Sequence, residues 1–327
     1  MAGKLFKLQY LIIALIAAGL ILLPFSGDIY YTSIMVIIAI YSMLTIGLCL
    51  LMGYTGQISL GHAAFYGTGA FISAITTAKY GWSPWLAMPV AAISTAAIAY
   101  FIGLPIFRLR GNYLAMGTLG MGIIIWVLFN ELDQFTGGPS GLPGVPGLSI
   151  GGFAFDTDFR YYYLVWGVCA VMLIISYNII HSRSGRALRA IHGSEAASEA
   201  VGINVSQFKI QVFVLSAVFA SIAGSLYVHY LAYVSPSPFD FMFSIKLVVM
   251  AVIGGLANIW GAVFGAGAVV MIDQHLGAFG ELDTILFGLI LILVMIFMSR
   301  GLIPGIGDLY EKWRTRRAKA QDALSSK

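Results

Sequence analysis

Apolar stretches free of charge alternate with short polar ones along nearly the whole chain, and their lengths suit membrane-crossing helices. A charge near the middle of a bilayer costs a few kcal/mol or more, so charge-free intervals mark spans more sharply than hydropathy does. Residues 8–23 predict one span, and the fifty uncharged residues between Asp28 and Lys79 predict two. Residues 85–107, 113–130 and 161–180 predict one each. After a polar stretch, 211–230, 245–256, 261–272 and 285–298 bring the expected number to ten, the eighth and ninth being short. The fold class expected is therefore an all-α integral membrane protein of about ten transmembrane helices. Residues 1–310 read as one polytopic membrane domain and 311–327 as a basic tail. Lys4 and Lys7 ahead of the first apolar run would also suit a secretory signal, but no A-x-A site follows, so an uncleaved first span is preferred.

Composition agrees: 59% of the 327 residues are hydrophobic and only 10% are charged, which rules out a water-soluble globule. The net charge of +4 says little as a sum and much when resolved by side. With a cytoplasmic N-terminus, ten spans put Lys4, Lys7, Arg108, Arg110, the stretch from Arg183 to Lys209, Arg300 and the tail from Lys312 on one side. Asp28, Glu131, Asp133, Asp156, Asp158, Asp240, Glu281 and Asp283 fall on the other. Counting every charge gives +10 inside and −6 outside, the asymmetry of the positive-inside rule. Both termini are then expected in the cytoplasm, in a multi-pass membrane protein.

Four segments depart from plain helix. The first, GYTGQISLGH at 53–62, sets three glycines among Thr55, Gln57, Ser59 and His62. Glycine is a poor helix interior, and irregular backbone at membrane depth is tolerated where protein covers it or where it lines a wet cavity. It reads either as a path-lining break of the kind found in transporters or as a turn between the second and third spans. The second, 136–152, holds seven glycines and three prolines within an outer loop of about 131–160. It reads as a surface that meets a partner or closes a gate, or as a simple connector. The third lies within 183–205, where Ser194 can cap a short helix bearing Glu195 and Glu199 and ending at Gly202. The small residues Ala196, Ala197, Ser198 and Ala200 suit a helix seated in another protein's groove, with a solvated connector as the alternative. The fourth, GGLANIWGAVFGAG at 254–267, carries a Gly-x-x-x-Gly pair at Gly261 and Gly265 and loosely echoes the first.

The stretches GYTGQISLGHAAFYGTGAF, LRGNYLAMGTLGMG, TGGPSGL, SRSGRALRAI with EAASEAVGIN, and HYLAYVSPSPFDFMFSIKLVVMAVIGGLANIWGAVFGA resemble the integral-membrane permease, M-type subunit, of bacterial branched-chain amino acid importers of the ATP-binding-cassette (ABC) class. Related permeases in that group carry urea or short amides. The resemblance implies an ABC importer permease fold working with a second permease subunit, two cytoplasmic ATPase subunits, a periplasmic amino-acid-binding protein and membrane lipid. ATP and Mg would be bound by the ATPase partner, with no cofactor in this chain. By position, Glu195, Ala196, Ala197, Glu199 and Gly202 would form the ATPase-coupling element, flanked by Arg186 and Arg189. The break at Gly53 to His62 would line or gate the path. A zwitterionic solute with an apolar side chain wants a few uncharged hydrogen-bonding groups between apolar walls, and Thr55, Gln57, Ser59, Thr118 and Asn258 suit that need.

Rival chemistries find less support. No GxxxxGK[ST] phosphate loop or H-E-x-x-H sequence occurs, and no G-x-S-x-G lies inside an expected span, so the chain is expected to be a transport subunit and not an enzyme. Cys49 and Cys169 stand alone in apolar runs, and the five histidines are too scattered to ligate a metal or haem. A weak net charge gives no footing for nucleic acid. The competing class is an ion-coupled secondary transporter with Asp273 and Lys246 as a proton relay, although both fall near outer span ends.

Overall fold

The computed structural model describes residues 24, 28–109, 111–150, 152–276 and 288–289. The first and tenth expected spans and the basic tail lie outside the described residues. The eight intermediate intervals each coincide with a helix: α1 (Ile29–Leu48), α2 (His62–Ala78), α3 (Pro84–Ile106), α4 (Asn112–Glu131), and, beyond the short α5 (Asp133–Thr136), α6 (Asp158–His181). After α7 (Arg183–Gly193) and α8 (Glu195–Ala200) follow α9 (Val205–Leu231), α10 (Phe241–Gly254) and α11 (Ile259–Leu276). Six of the described helices are long and apolar enough to cross a membrane, and α10 is a shorter apolar one. This is a mostly helical, multi-pass membrane protein.

Local chemistry sets the helix starts. Asp28, Thr157, Asn204 and Asp240 each accept a backbone N–H in the first turn of α1, α6, α9 and α10, the last at 2.8 Å from the Phe243 amide. α2 begins after Gly61 with no cap of its own, and the cap comes from another helix: the Ala63 N–H donates to Ser244 Oγ of α10 at 3.0 Å. In a membrane, where no water can serve, an orphan N–H must find such a partner.

α1 is the hub. Its most apolar stretch is 83% buried, against 28% for α3 and α4, so it is enclosed by other helices while those two show a broad apolar face outward. α9 packs along α1, α2 and α3, α6 lies on α1, and α10 with α11 closes the other side of α1. The Gly-x-x-x-Gly pair lets α11 meet α10 backbone to backbone: a Cβ on Gly261 would sit 1.9 Å from the Gly254 carbonyl oxygen, and one on Gly265 2.0 Å from that of Met250.

Because α6 enters from the Gly/Pro loop and runs to α7, and α9 returns, the loop and the α7–α8 segment sit at opposite ends of the bundle. The loop is no slack connector. Leu142 and Pro143 (β1) pair antiparallel with Val234 and Tyr233 (β2), Val145 and Leu148 are buried, and the Val145 N–H donates to the Ala232 carbonyl. His229, near the end of α9, lies 2.7 Å from the Pro146 carbonyl through Nδ1 and 2.9 Å from Ser73 Oγ of α2 through Nε2.

Candidate functional site

The helix that begins as α1 changes character before it ends. Residues Cys49–Gly53 form a π-helical turn, a widening often found at functional sites, and the helical path stops after Thr55. Residues 56–61 are irregular, with Gly56 in the left-handed region at φ +71°, and α2 starts at His62. Within this break side chains alternate: Thr55, Gln57 and Ser59 turn inward and are buried, while Gly56 and Ile58 are exposed. The usual pattern of apolar in and polar out is inverted here, so the polar groups face the protein interior.

Helix packing holds the break on two sides. A Cβ on Gly53 would fall 1.6 Å from the carbonyl oxygen of Leu256, in the turn between α10 and α11, and Tyr54 donates its hydroxyl to the next carbonyl, Ala257, at 2.8 Å. The two glycine-rich segments that echo each other in sequence are thus packed face to face. On the other side Leu60 N–H donates to Thr118 Oγ1 at 3.0 Å, and that hydroxyl in turn donates to the Ala115 carbonyl. Asn258 turns to its own backbone, its Oδ1 accepting from the Trp260 N–H at the start of α11.

Three buried polar atoms in this region have no hydrogen-bond partner among the described residues: Ser59 Oγ, His62 Nδ1 and Tyr66 Oη. His62 and Tyr66 are four residues apart on α2 and share a face. The other His62 nitrogen, Nε2, lies 3.4 Å from Ser216 Oγ of α9. Toward the loop end the same face meets an aromatic cluster, with Tyr66 5.0 Å from Phe239, 5.5 Å from Tyr227 and 5.6 Å from Phe243 between ring centres. Tyr66 is an aromatic in an apolar helix, and only its unsatisfied hydroxyl, invisible in sequence, marks it out.

The α7–α8 segment lies directly over the break. His192 stands where a Cβ on Gly56 would be 3.4 Å from its Nδ1. Ser194 Oγ accepts the Ala197 N–H, as its spacing predicts, and the helix ends on Gly202 at φ +85°, with the Ile203 N–H returning to the Ser198 carbonyl. Glu195 points into the bundle: its Oε1 accepts from Gln57 Nε2 at 3.2 Å and from Lys209 Nζ at 2.6 Å. Ala196, Ala197, Glu199, Ala200 and Val201 are exposed, the last at 76%. Arg186 and Arg189 fold back on the end of α6, donating to the Ser182 and Ile180 carbonyls. Of the fourteen residues picked from sequence, Gln57 and Glu195 are brought into direct contact. Lys209, the third member, stands in the sequence merely as the last cation of a basic stretch.

Lys246 and Asp273 pair across α10 and α11 at their loop ends, both partly exposed. No cluster of three or more His, Cys, Asp or Glu capable of holding a metal occurs among the described residues.

Residues 30–298 match the family described as branched-chain amino acid transport system / permease component. The chain is 29% identical to the high-affinity branched-chain amino acid transport system permease protein LivM of Salmonella typhimurium, over 92% of this chain and 75% of that one. LivM of Escherichia coli K12 gives 29% over 92% and 76%. The permease protein BraD of Pseudomonas aeruginosa gives 29% over 80% of this chain and 91% of its own. No solved structure matches significantly. The match over most of its length shows that the chain belongs to the family of branched-chain amino acid transport system permease components.

Proposed function

We propose that this chain is the M-type permease of an ABC importer that moves branched-chain amino acids across the cytoplasmic membrane. In this reading it crosses the membrane ten times with both termini in the cytoplasm. It pairs with a second permease subunit, takes its solute from a periplasmic binding protein at the Gly/Pro loop end, and is driven by two ATPase subunits that hold ATP and Mg. One observation carries the reading: the α7–α8 segment, with the composition of a docking helix, sits on the helix break and touches it through His192 and Glu195. A push on α8 therefore reaches the break without any intervening element.

Ser59, His62 and Tyr66 are the groups best placed to meet a solute. Leaving a polar atom buried and unpaired costs about 1–3 kcal/mol, and a passing ammonium or carboxylate would offset that cost. Thr55, Thr118 and Asn258 hold backbone instead: Thr55 donates to the Leu51 carbonyl, Thr118 supports Leu60, and Asn258 caps α11. Gly53 sets the crossing with Leu256.

The test is to tag the chain, purify it from detergent, identify its companions, and reconstitute them in liposomes with labelled leucine or urea. Recovery of an ATPase and a second permease, with leucine uptake that needs ATP, is expected. A lone homo-oligomer, or uptake driven by a proton gradient without ATP, would sink the importer reading; urea uptake in place of leucine would move the chain to the amide branch.

A further inference from the structure

Resting on that importer reading, we infer that Lys209 is a positioning residue that holds Glu195 inward against Gln57, so that Glu195 is the internal link between α8 and the break and not a contact to the ATPase. The position of Lys209 is unusual. It lies five residues into α9, in a helix long and apolar enough to span, yet its side chain is only 3% exposed. An ammonium removed from water to that degree is retained only with an anionic partner, and Glu195 Oε1 stands 2.6 Å away. The same oxygen accepts from Gln57, whose amide also donates to the Thr55 carbonyl at 3.0 Å, so the carboxylate is fixed on both sides. Three elements that sequence separates thus meet at one atom: the break, the docking helix, and α9.

The geometry also divides the work on α8. Glu195 and the buried Ser198 face inward, while Ala196, Ala197, Glu199 and Val201 face out. The outward face is free to be gripped; the inward face carries the load. Turning Glu195 outward toward a partner would strand the Lys209 charge in a dry site, the situation in which breaking a buried pair is most costly. Lys209 is the dry member of the pair, while Glu195 keeps 29% of its side chain exposed. Gly202 in the left-handed region and the Asn204 cap at α9 reverse the chain so that residues 195 and 209 face each other.

The test uses the full reconstituted importer and reads two quantities: ATPase recovered with the tagged permease, and solute moved per ATP hydrolysed. Glu195→Gln, Lys209→Met and Gln57→Ala are expected to keep the ATPase bound while solute per ATP falls on the order of tenfold, the size of an ordinary coupling energy. Lys209→Arg, which keeps the cation, and the exchange of Glu195→Lys with Lys209→Glu should recover most of that ratio. Val201→Asp, on the outward face, should lose the ATPase instead. Gln57→Ala creates no buried charge, so it reports on the link even if a charged-residue variant is not recovered from the membrane. The inference is overturned if Glu195→Gln releases the ATPase while Lys209→Met does not, if the singles keep the wild-type ratio, or if the exchange is no better than either single. Failure of the importer reading looks different: wild type itself would then show no ATP-driven uptake.

Discussion

Gly53→Ala isolates the contact between the two glycine-rich segments. The new Cβ would lie 1.6 Å from the Leu256 carbonyl oxygen and 2.4 Å from its carbon, both backbone atoms that no rotamer change can move aside. Non-bonded carbon contacts are comfortable at about 3.5 Å, so the π-helical turn and the α10–α11 turn would have to part by roughly 2 Å. Overpacking of that kind costs about 1–3 kcal/mol. Parting also breaks the 2.8 Å bond from Tyr54 to the Ala257 carbonyl, worth about 1 kcal/mol. Alanine regains up to about 1 kcal/mol of helix propensity, leaving a net loss of about 1–4 kcal/mol. The control is Gly120→Ala in α4, where a Cβ meets nothing within 4 Å and the change should be neutral or stabilising by up to about 1 kcal/mol. Thermal aggregation of the two variants in detergent, with ATP-driven uptake in liposomes, makes the comparison. Equal melting and equal uptake for Gly53→Ala and Gly120→Ala would refute the claim that the two segments are locked by backbone contact.

Thr118→Val removes the acceptor for the Leu60 N–H and should cost about 1–3 kcal/mol, while Thr118→Ser, which keeps the hydroxyl, should melt near wild type. His229→Phe loses the contacts to Pro146 and Ser73, and amide hydrogen exchange at residues 142–148 should rise while that of α9's buried centre stays slow. Asp273→Asn weakens the pair with Lys246 and should leave ATP-driven uptake within about twofold, because a partly exposed ion pair contributes little; loss of uptake at normal protein level would instead favour an ion-coupled carrier.

Charge-free intervals located eight described helices because burying an unpaired charge is costly, although the helix ends differ from the interval ends. The interval 211–230 begins after Lys209, but α9 begins at Val205, capped by Asn204, and the lysine within its second turn is paired with Glu195. α10 ends at Gly254, two residues short of the expected end, where Gly255 takes φ +95°. The break at 53–62 was legible in its glycines, and the cap at Ser194 in its spacing. What could not be read were partnerships across distance: Gln57 with Glu195, 138 residues apart, Ala63 with Ser244, and the burial that leaves Tyr66 without a partner. Asn258 has the same amide chemistry as Gln57 and serves only its own backbone, a distinction that three-dimensional placement alone makes.

α9 holds Lys209 near one end and His229 near the other, twenty residues and about 30 Å apart along a helix with no proline to bend it. A tilt of about 5° would carry one end past the other by roughly 2–3 Å, enough to break the hydrogen bonds made there. The contact with the Pro146 carbonyl and the contact with Glu195 are therefore readings from one dial. In the proposed importer, linkage would make the traffic two-way: whatever free energy a partner at the loop end gained by shifting α9, a partner gripping α8 would feel in equal measure.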